Sequence, residues 1–225
     1  MYKHVKTLDK LKMKTTKTIT VLVTICLFMT MLQSCGGGKE KQIEDNELSS
    51  FMLGGIYFLN GYGGTDAVAK MMKDANYNTD TQLVSGYKEI FQFAFQKSQG
   101  RDIKNMLKSM WDISNKNELL TSINDLKTRD HKYKAWDYAR IVNNASMGYA
   151  ANFLTKEEVK QIVQEILPLA QQKFENWEAY FIDFNKGRID WNSNDSQGEA
   201  FEEIAKTITT YENSIYKILP LNTEK

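Results

Sequence analysis

The chain has 225 residues, with 29 basic against 28 acidic side chains, only two cysteines and two prolines, and 12% aromatic residues. This balance excludes the basic surplus of a nucleic-acid footprint. Two cysteines are too few for a disulfide scaffold or a thiolate metal site.

The N-terminal segment has three parts. Lys3, Lys6, Lys10, Lys12, Lys14 and Lys17 make a basic region, and Ile19 to Leu32 is a run of fourteen residues without charge. A membrane-spanning helix needs about 20 apolar residues, so this run suits a cleaved signal better than a permanent anchor. Leu32-Gln33-Ser34-Cys35 then has the form of a bacterial lipobox. Residues 1–34 are therefore expected to be a lipoprotein signal peptide, starting at Met1 or Met13, and Cys35 is expected to be acylated. Each buried CH₂ of an acyl chain contributes about 0.8 kcal/mol, so lipid on Cys35 becomes the membrane attachment. Gly36 stands where an aspartate would signal inner-membrane retention, which leans toward the outer membrane with the face left open.

Processing would leave 191 residues with 23 basic and 27 acidic side chains, a net charge of −4, because six lysines and one aspartate are removed. Cys26 goes with the signal and Cys35 is blocked by lipid. No thiol then remains for catalysis, metal binding or a disulfide. Residues 35–46, beginning Cys35-Gly36-Gly37-Gly38-Lys39-Glu40, read as the acylated cysteine and a flexible, solvated tether.

From residue 47 to 225 the apolar pattern is helical. Leu48, Phe51, Met52, Gly55, Ile56 and Leu59 recur at steps of three and four. So do Leu83, Val84, Tyr87, Ile90 and Phe91, then Ile103, Met106, Leu107, Met110 and Trp111, and finally Phe201, Ile204, Ala205, Ile208, Tyr211, Ile215, Ile218 and Leu219. No alternation is long enough for a strand. Gly61-Tyr62-Gly63-Gly64 reads as a bend between helices, since no Gly-Lys-Ser/Thr follows to make a phosphate loop. Ser114 is expected to cap a helix holding Leu119, Ile123 and Leu126. Thr155-Lys156-Glu157-Glu158 fits a capping box. Pro168 predicts a kink or break near Leu167, and Gly187 a left-handed helix end. The expected fold is an all-α, single-domain bundle of about seven or eight helices.

Ala135-Trp136-Asp137-Tyr138-Ala139-Arg140 resembles the Ala-Trp-Asp-x-x-Arg hallmark of the bacterial family called domain of unknown function 1266. Gly148-Tyr149 with Leu154-Thr155-Lys156-Glu157-Glu158, then Phe174-Glu175-Asn176-Trp177-Glu178-Ala179-Tyr180, then Gly187-Arg188-Ile189-Asp190-Trp191, resemble further pieces in the family's order. Trp111-Asp112-Ile113 with Glu118-Leu119-Leu120 resembles the segment before the hallmark. The likeness covers about residues 105–192. Arg129-Asp130-His131 stands where the family usually has Gly-His. The resemblance implies no reaction.

The candidate site is the set Trp136, Asp137, Arg140, Trp177, Arg188 and Trp191, expected to converge in space. Asp137 and Arg140 are three residues apart on one helix face and able to pair. Trp136 and Trp177 are large enough to wall a pocket. One reading makes the set a structural ion pair beside an indole. The other makes Arg140 with Arg188 a receptor for a small anionic ligand, because a guanidinium fork suits carboxylate or phosphate. His131 reads as a solvated turn residue, and spaced metal ligands are missing, so no metal or other cofactor is expected.

Two functions fit these residues. The first is a non-catalytic envelope module that binds another envelope protein or a small anionic ligand. The second is an envelope hydrolase or transferase using Asp137 and Arg140 with Arg188 on an anionic substrate. Either way Cys35→Ser is expected to leave an unprocessed, unlabelled precursor in cells fed an acyl-chain probe. Processing and labelling that survive the change would refute the lipobox reading.

Overall fold

The computed structural model describes residues 43–222. The expected signal peptide, Cys35 and most of the tether lie outside the described residues. The described chain is all-α, as its periodicity predicts, with eleven helices and one short 3₁₀ turn at Lys97–Gln99. Its α-helices are α1 (Asn46–Met52), α2 (Gly55–Gly61), α3 (Thr65–Asp74), α4 (Asp80–Phe91), α5 (Gly100–Trp111), α6 (Lys116–Thr128), α7 (Lys134–Ala150), α8 (Lys156–Lys173), α9 (Trp177–Trp191), α10 (Gly198–Thr207) and α11 (Ile215–Ile218). No described helix is long and apolar enough to cross a membrane.

The count exceeds seven or eight because α3 carries none of the stripes read above, α8 and α9 are separate helices, and two apolar stripes that look continuous are each broken. The first breaks at Leu53-Gly54, between α1 and α2. A Cβ on Gly54 would stand 2.7 Å from Val142 Cγ1, so the chain turns where it can press on α7. The second breaks between α10 and α11. There Asn213 takes a left-handed φ of 62°, and the Ser214 hydroxyl donates to Ile208 O at 2.6 Å while accepting from Tyr216 N at 3.2 Å. Folded structure also begins inside the expected tether. Asp45 caps α1 by accepting from Leu48 N and pairs with Lys88 at 2.5 Å, and Ile43 packs on the core.

Capping chemistry sets several helix starts. Thr155 and Glu158 form the expected capping box of α8, and Thr79 with Gln82 forms another on α4. Asn115, not Ser114, caps α6, accepting from Glu118 N at 3.1 Å, while Ser114 N donates to the Glu118 carboxylate. The Gly61–Gly64 segment is the expected bend, with φ of 94° at Gly63 and 100° at Gly64.

Two helix-breaking expectations fail. Helix α8 runs unbroken through Pro168, because Val159, Val163, Ile166, Leu167 and Ala170 are buried on both sides of it. Packing of that stripe against α1 and α7 offsets the one backbone hydrogen bond that proline removes. Gly187 lies inside α9 rather than at a helix end.

Helix α7 is the centre. Fourteen of its seventeen residues are buried, and α2, α5, α6, α8 and α9 pack around it. A helix buried on all sides is a core helix, and the polar residues of α7, Lys134, Asp137, Asn144 and Ser146, are buried with the rest. Its small residues, Ala135, Ala139, Ala145, Ser146 and Gly148, let neighbours close in. Gly187 does the same from α9: a Cβ there would lie 2.8 Å from Tyr133 Cβ and 2.9 Å from Trp136 Cβ. Alanine is the better helix former by about 1 kcal/mol. Gly187→Ala is nonetheless expected to destabilise the domain by on the order of 1–3 kcal/mol, because neither Cβ can step aside. Urea unfolding measures it, and a gain in stability would refute the close α7–α9 approach.

A candidate site around a buried aspartate

Asp137 sits in the first turn of α7, where a negative charge suits the helix dipole, and it is fully buried. A lone buried charge costs several kcal/mol, so its surroundings must supply partners. Arg129 donates through Nη2 to Oδ1 and through Nε to Oδ2 at 3.2 Å. Arg140 Nη2 donates to Oδ1. His131 Nδ1 lies 3.1 Å from Oδ2, and Lys134 Nζ lies 3.5 Å from it. Burial alone would raise the Asp137 carboxyl, but the Arg129 hydrogen bond and the charges of Arg140, Arg129 and His131 outweigh it and hold the group below the usual carboxylate range.

The excess positive charge is absorbed elsewhere. Lys134 Nζ donates to the carbonyls of Leu126, Lys127 and Arg129, at 2.9, 3.2 and 3.2 Å. Those carbonyls end α6, the negative pole of that helix. Arg129 also faces Asp125 at 3.8 Å. Arg140 lies near two indoles, with Cζ 3.5 Å from the Trp136 ring centre and 5.6 Å from that of Trp111. The start of α7 has a second acid: Asp183 on α9 accepts from Ala135 N at 2.9 Å. Burial raises its carboxyl, and the Ala135 N–H and nearby cations only partly reverse that.

Of the six residues expected to converge, Trp136, Asp137, Arg140 and Trp191 meet. The rings of Trp136 and Trp191 are 5.8 Å apart. Arg188 lies within the electrostatic reach of the Tyr57 hydroxyl, as Arg140 does. Burial raises the Tyr57 hydroxyl well above its usual range, while Arg140, the Trp136 indole and Arg188 pull it back. Trp177 stands apart and does not wall a pocket with Trp136. It opens α9, fourteen residues before Trp191 and so roughly 21 Å along the helix. Its Nε1 donates to Leu219 O at 2.8 Å, and its ring packs edge-on against Tyr216. The C-terminal segment claims it, which local spacing does not reveal.

His131 is not a solvated turn residue: its ring contacts Asp137 and lies 6.0 Å from Trp136. Sequence reasoning also missed Arg129, Lys134, Asp183 and Tyr57. Lys134 could have been found at three residues before Asp137, and Arg129 from its place beside His131. Asp183 and Tyr57 carry no local signal. The Asp137 group lines neither of two shallow surface grooves. One, of about 490 Å³, is bordered by Lys97, Tyr149, Phe153 and Lys156; the other, of about 260 Å³, by Trp177, Thr210, Tyr216 and Pro220.

Arg140→Ala is expected to take one charged donor from the buried Asp137 carboxylate, together with the packing on Trp136, at a cost on the order of 3 kcal/mol. That is a melting decrease of roughly 6–12 °C for a domain of this size. Because the folded carboxyl titrates below the unfolded one, its ionised form adds stability that is complete above about pH 4 and is lost as pH falls through the lowered folded value. Asp137→Asn should therefore be less stable than wild type at pH 7, with the gap narrowing toward pH 3. A constant gap in melts across that range would show that the charge contributes nothing.

The family described as Protein of unknown function (DUF1266) matches residues 65–221, a wider span than 105–192 at both ends. Two Escherichia coli (strain K12) proteins are similar over shorter stretches. Uncharacterized protein YbeR is 38% identical over 60 residues, covering 27% of this chain and 26% of the relative. Uncharacterized protein YbeU is 31% identical over 78 residues, covering 35% and 32%. The chain thus spans between a quarter and a third of the length of these curated relatives. No solved structure matches. With the family's pattern running from α3 to the residues after α11, this chain belongs to the DUF1266 family.

Proposed function

We propose that the protein is a lipid-anchored, non-catalytic binding module of the cell envelope, held at the outer membrane through acylated Cys35. The lipobox and the short uncharged run before it support the anchor. One observation carries the binding reading. The end of α9 leaves Trp191 65% exposed while its ring leans on buried Trp136, itself covered by Arg140. A large aromatic held rigid by a buried neighbour and open to solvent is the form of an interaction anchor. Ile189, 42% exposed, extends the same end of the helix. Asp137, by contrast, has both oxygens engaged and is held ionised, which suits scaffolding better than proton transfer.

A photo-cross-linking amino acid at position 189 of the full-length protein in cells tests this reading. A discrete adduct is expected at position 189, weakened by Trp191→Ala, and none at Lys70 on the outer side of α3. Equal, diffuse labelling at both positions would sink the proposal.

A further inference from the structure

Arg188, in the last turn of α9, is 5% exposed, yet its Nε and Nη1 have no hydrogen-bond partner. Its one hydrogen bond is a long one, Nη2 to Asn185 Oδ1 at 3.4 Å. The nearest carboxylate, Asp195 Oδ2, lies 3.6 Å from Nη1, which is Coulombic proximity and not a hydrogen bond. Buried guanidinium donors are normally satisfied, because an unpaired one costs far more than an exposed one. The group also faces the start of α10: a Cβ on Gly198 would stand 3.2 Å from Nη1. That helix start has no side-chain cap, and Arg188 adds a second positive feature to it.

Loop 192–197 brings Asp195 to Arg188, and this loop is weakly held. Its hydrogen bonds are local: Asn194 N to Asn192 Oδ1 at 3.0 Å, Gln197 N to Asp195 Oδ1 at 3.1 Å and Gly198 N to Asp195 O at 2.8 Å. Most of its residues are exposed. Its ends join the flanking helices through Asn192 N to Arg188 O at 3.0 Å and Phe201 N to Gln197 O at 3.1 Å, and apart from these and the Gly198 bond no hydrogen bond ties it to the rest of the described chain. Asp195 therefore resembles a built-in substitute for a ligand: a carboxylate of the right charge, near the right donors, without making their bonds. Trp191 lies three residues beyond Arg188 on α9, a spacing that puts both on one helix face, and its ring is exposed.

We propose that Arg188 is the receptor for a carboxylate carried on a flat, apolar body, with Asp195 as the displaceable internal occupant and Trp191 as the platform for the body. The incoming carboxylate takes charge-assisted hydrogen bonds from Nε and Nη1 that Asp195 does not take. The body stacks on Trp191. This rests on the reading of the α9 end as a binding face and names the chemistry that face recognises. Glu202 on α10 feels the Arg188 charge, and its own negative charge disfavours a phosphate dianion relative to a carboxylate.

The probe is benzoate, with benzamide as its uncharged counterpart, titrated calorimetrically into the full-length protein in detergent at constant ionic strength. Benzoate is expected to bind saturably, and benzamide at least tenfold more weakly. Asp195→Asn keeps an oxygen for Gln197 N and removes the competing charge, so it should tighten benzoate about threefold or more. Arg188→Met should weaken it at least tenfold. Should that variant fail to fold, Trp191→Ala, an exposed change, must still weaken binding severalfold. Binding indifferent to both Asp195→Asn and Trp191→Ala, or no benzoate binding by either wild type or Asp195→Asn, overturns the proposal. A position-189 adduct without any benzoate effect overturns this inference alone and leaves the partner-binding reading in place.

Discussion

The structure depends on one buried charge. Asp137 has no access to water, so its carboxylate must find every partner within the protein. Those partners come from Arg129 and His131 in the turn before α7, and from Lys134 and Arg140 on α7 itself. The ion cluster thereby fixes how α6 hands over to α7. Lys134 ties the carbonyl end of α6 to the same carboxylate, so the end of one helix and the start of the next share a single electrostatic knot. Removing any one arm leaves the buried carboxylate with fewer charged donors than its burial demands. This is why the cluster reads as a scaffold even though its residue types are those of catalytic sites.

The family's motif pieces divide their work across that scaffold. Trp136 and Asp137 face inward, Arg140 packs on the Trp136 indole, and Gly187 lets α9 approach α7 until backbone-bound atoms touch. At the far end of α9 the same motif holds Arg188 buried near Asp195 of the following loop and puts Trp191 at the surface. Rigid support beneath an exposed aromatic lowers the conformational cost of binding through it. Trp177 belongs to another joint, where α9 begins and the C-terminal segment returns across it.

The fold class was legible because helical periodicity is a local property: the spacing of Leu83, Val84, Tyr87, Ile90 and Phe91 needs no knowledge of what lies beside it. Capping boxes are local for the same reason, and Thr155 with Glu158 behaves as read. Breaks and their absence were not legible. Pro168 lowers local helix propensity, but burial on both sides of it overrides one lost hydrogen bond. Gly187 has the chemistry of a helix end and serves as a contact point instead, since its use depends on Tyr133 and Trp136 arriving from another helix.

The candidate site follows the same division. The sequence by itself determined that Asp137 and Arg140 share a helix face, because three residues apart is a fixed geometry. It determined the all-helical class and, through resemblance, the family. Only the tertiary structure decided that Arg129, His131 and Lys134 complete the carboxylate's shell, that Asp183 caps α7 from across the bundle, and that Trp177 leaves the group while Trp191 stays. The reason is physical. Secondary structure is written in contacts between neighbours in the chain, whereas the fate of a buried charge is settled by whichever groups packing brings within a few ångströms.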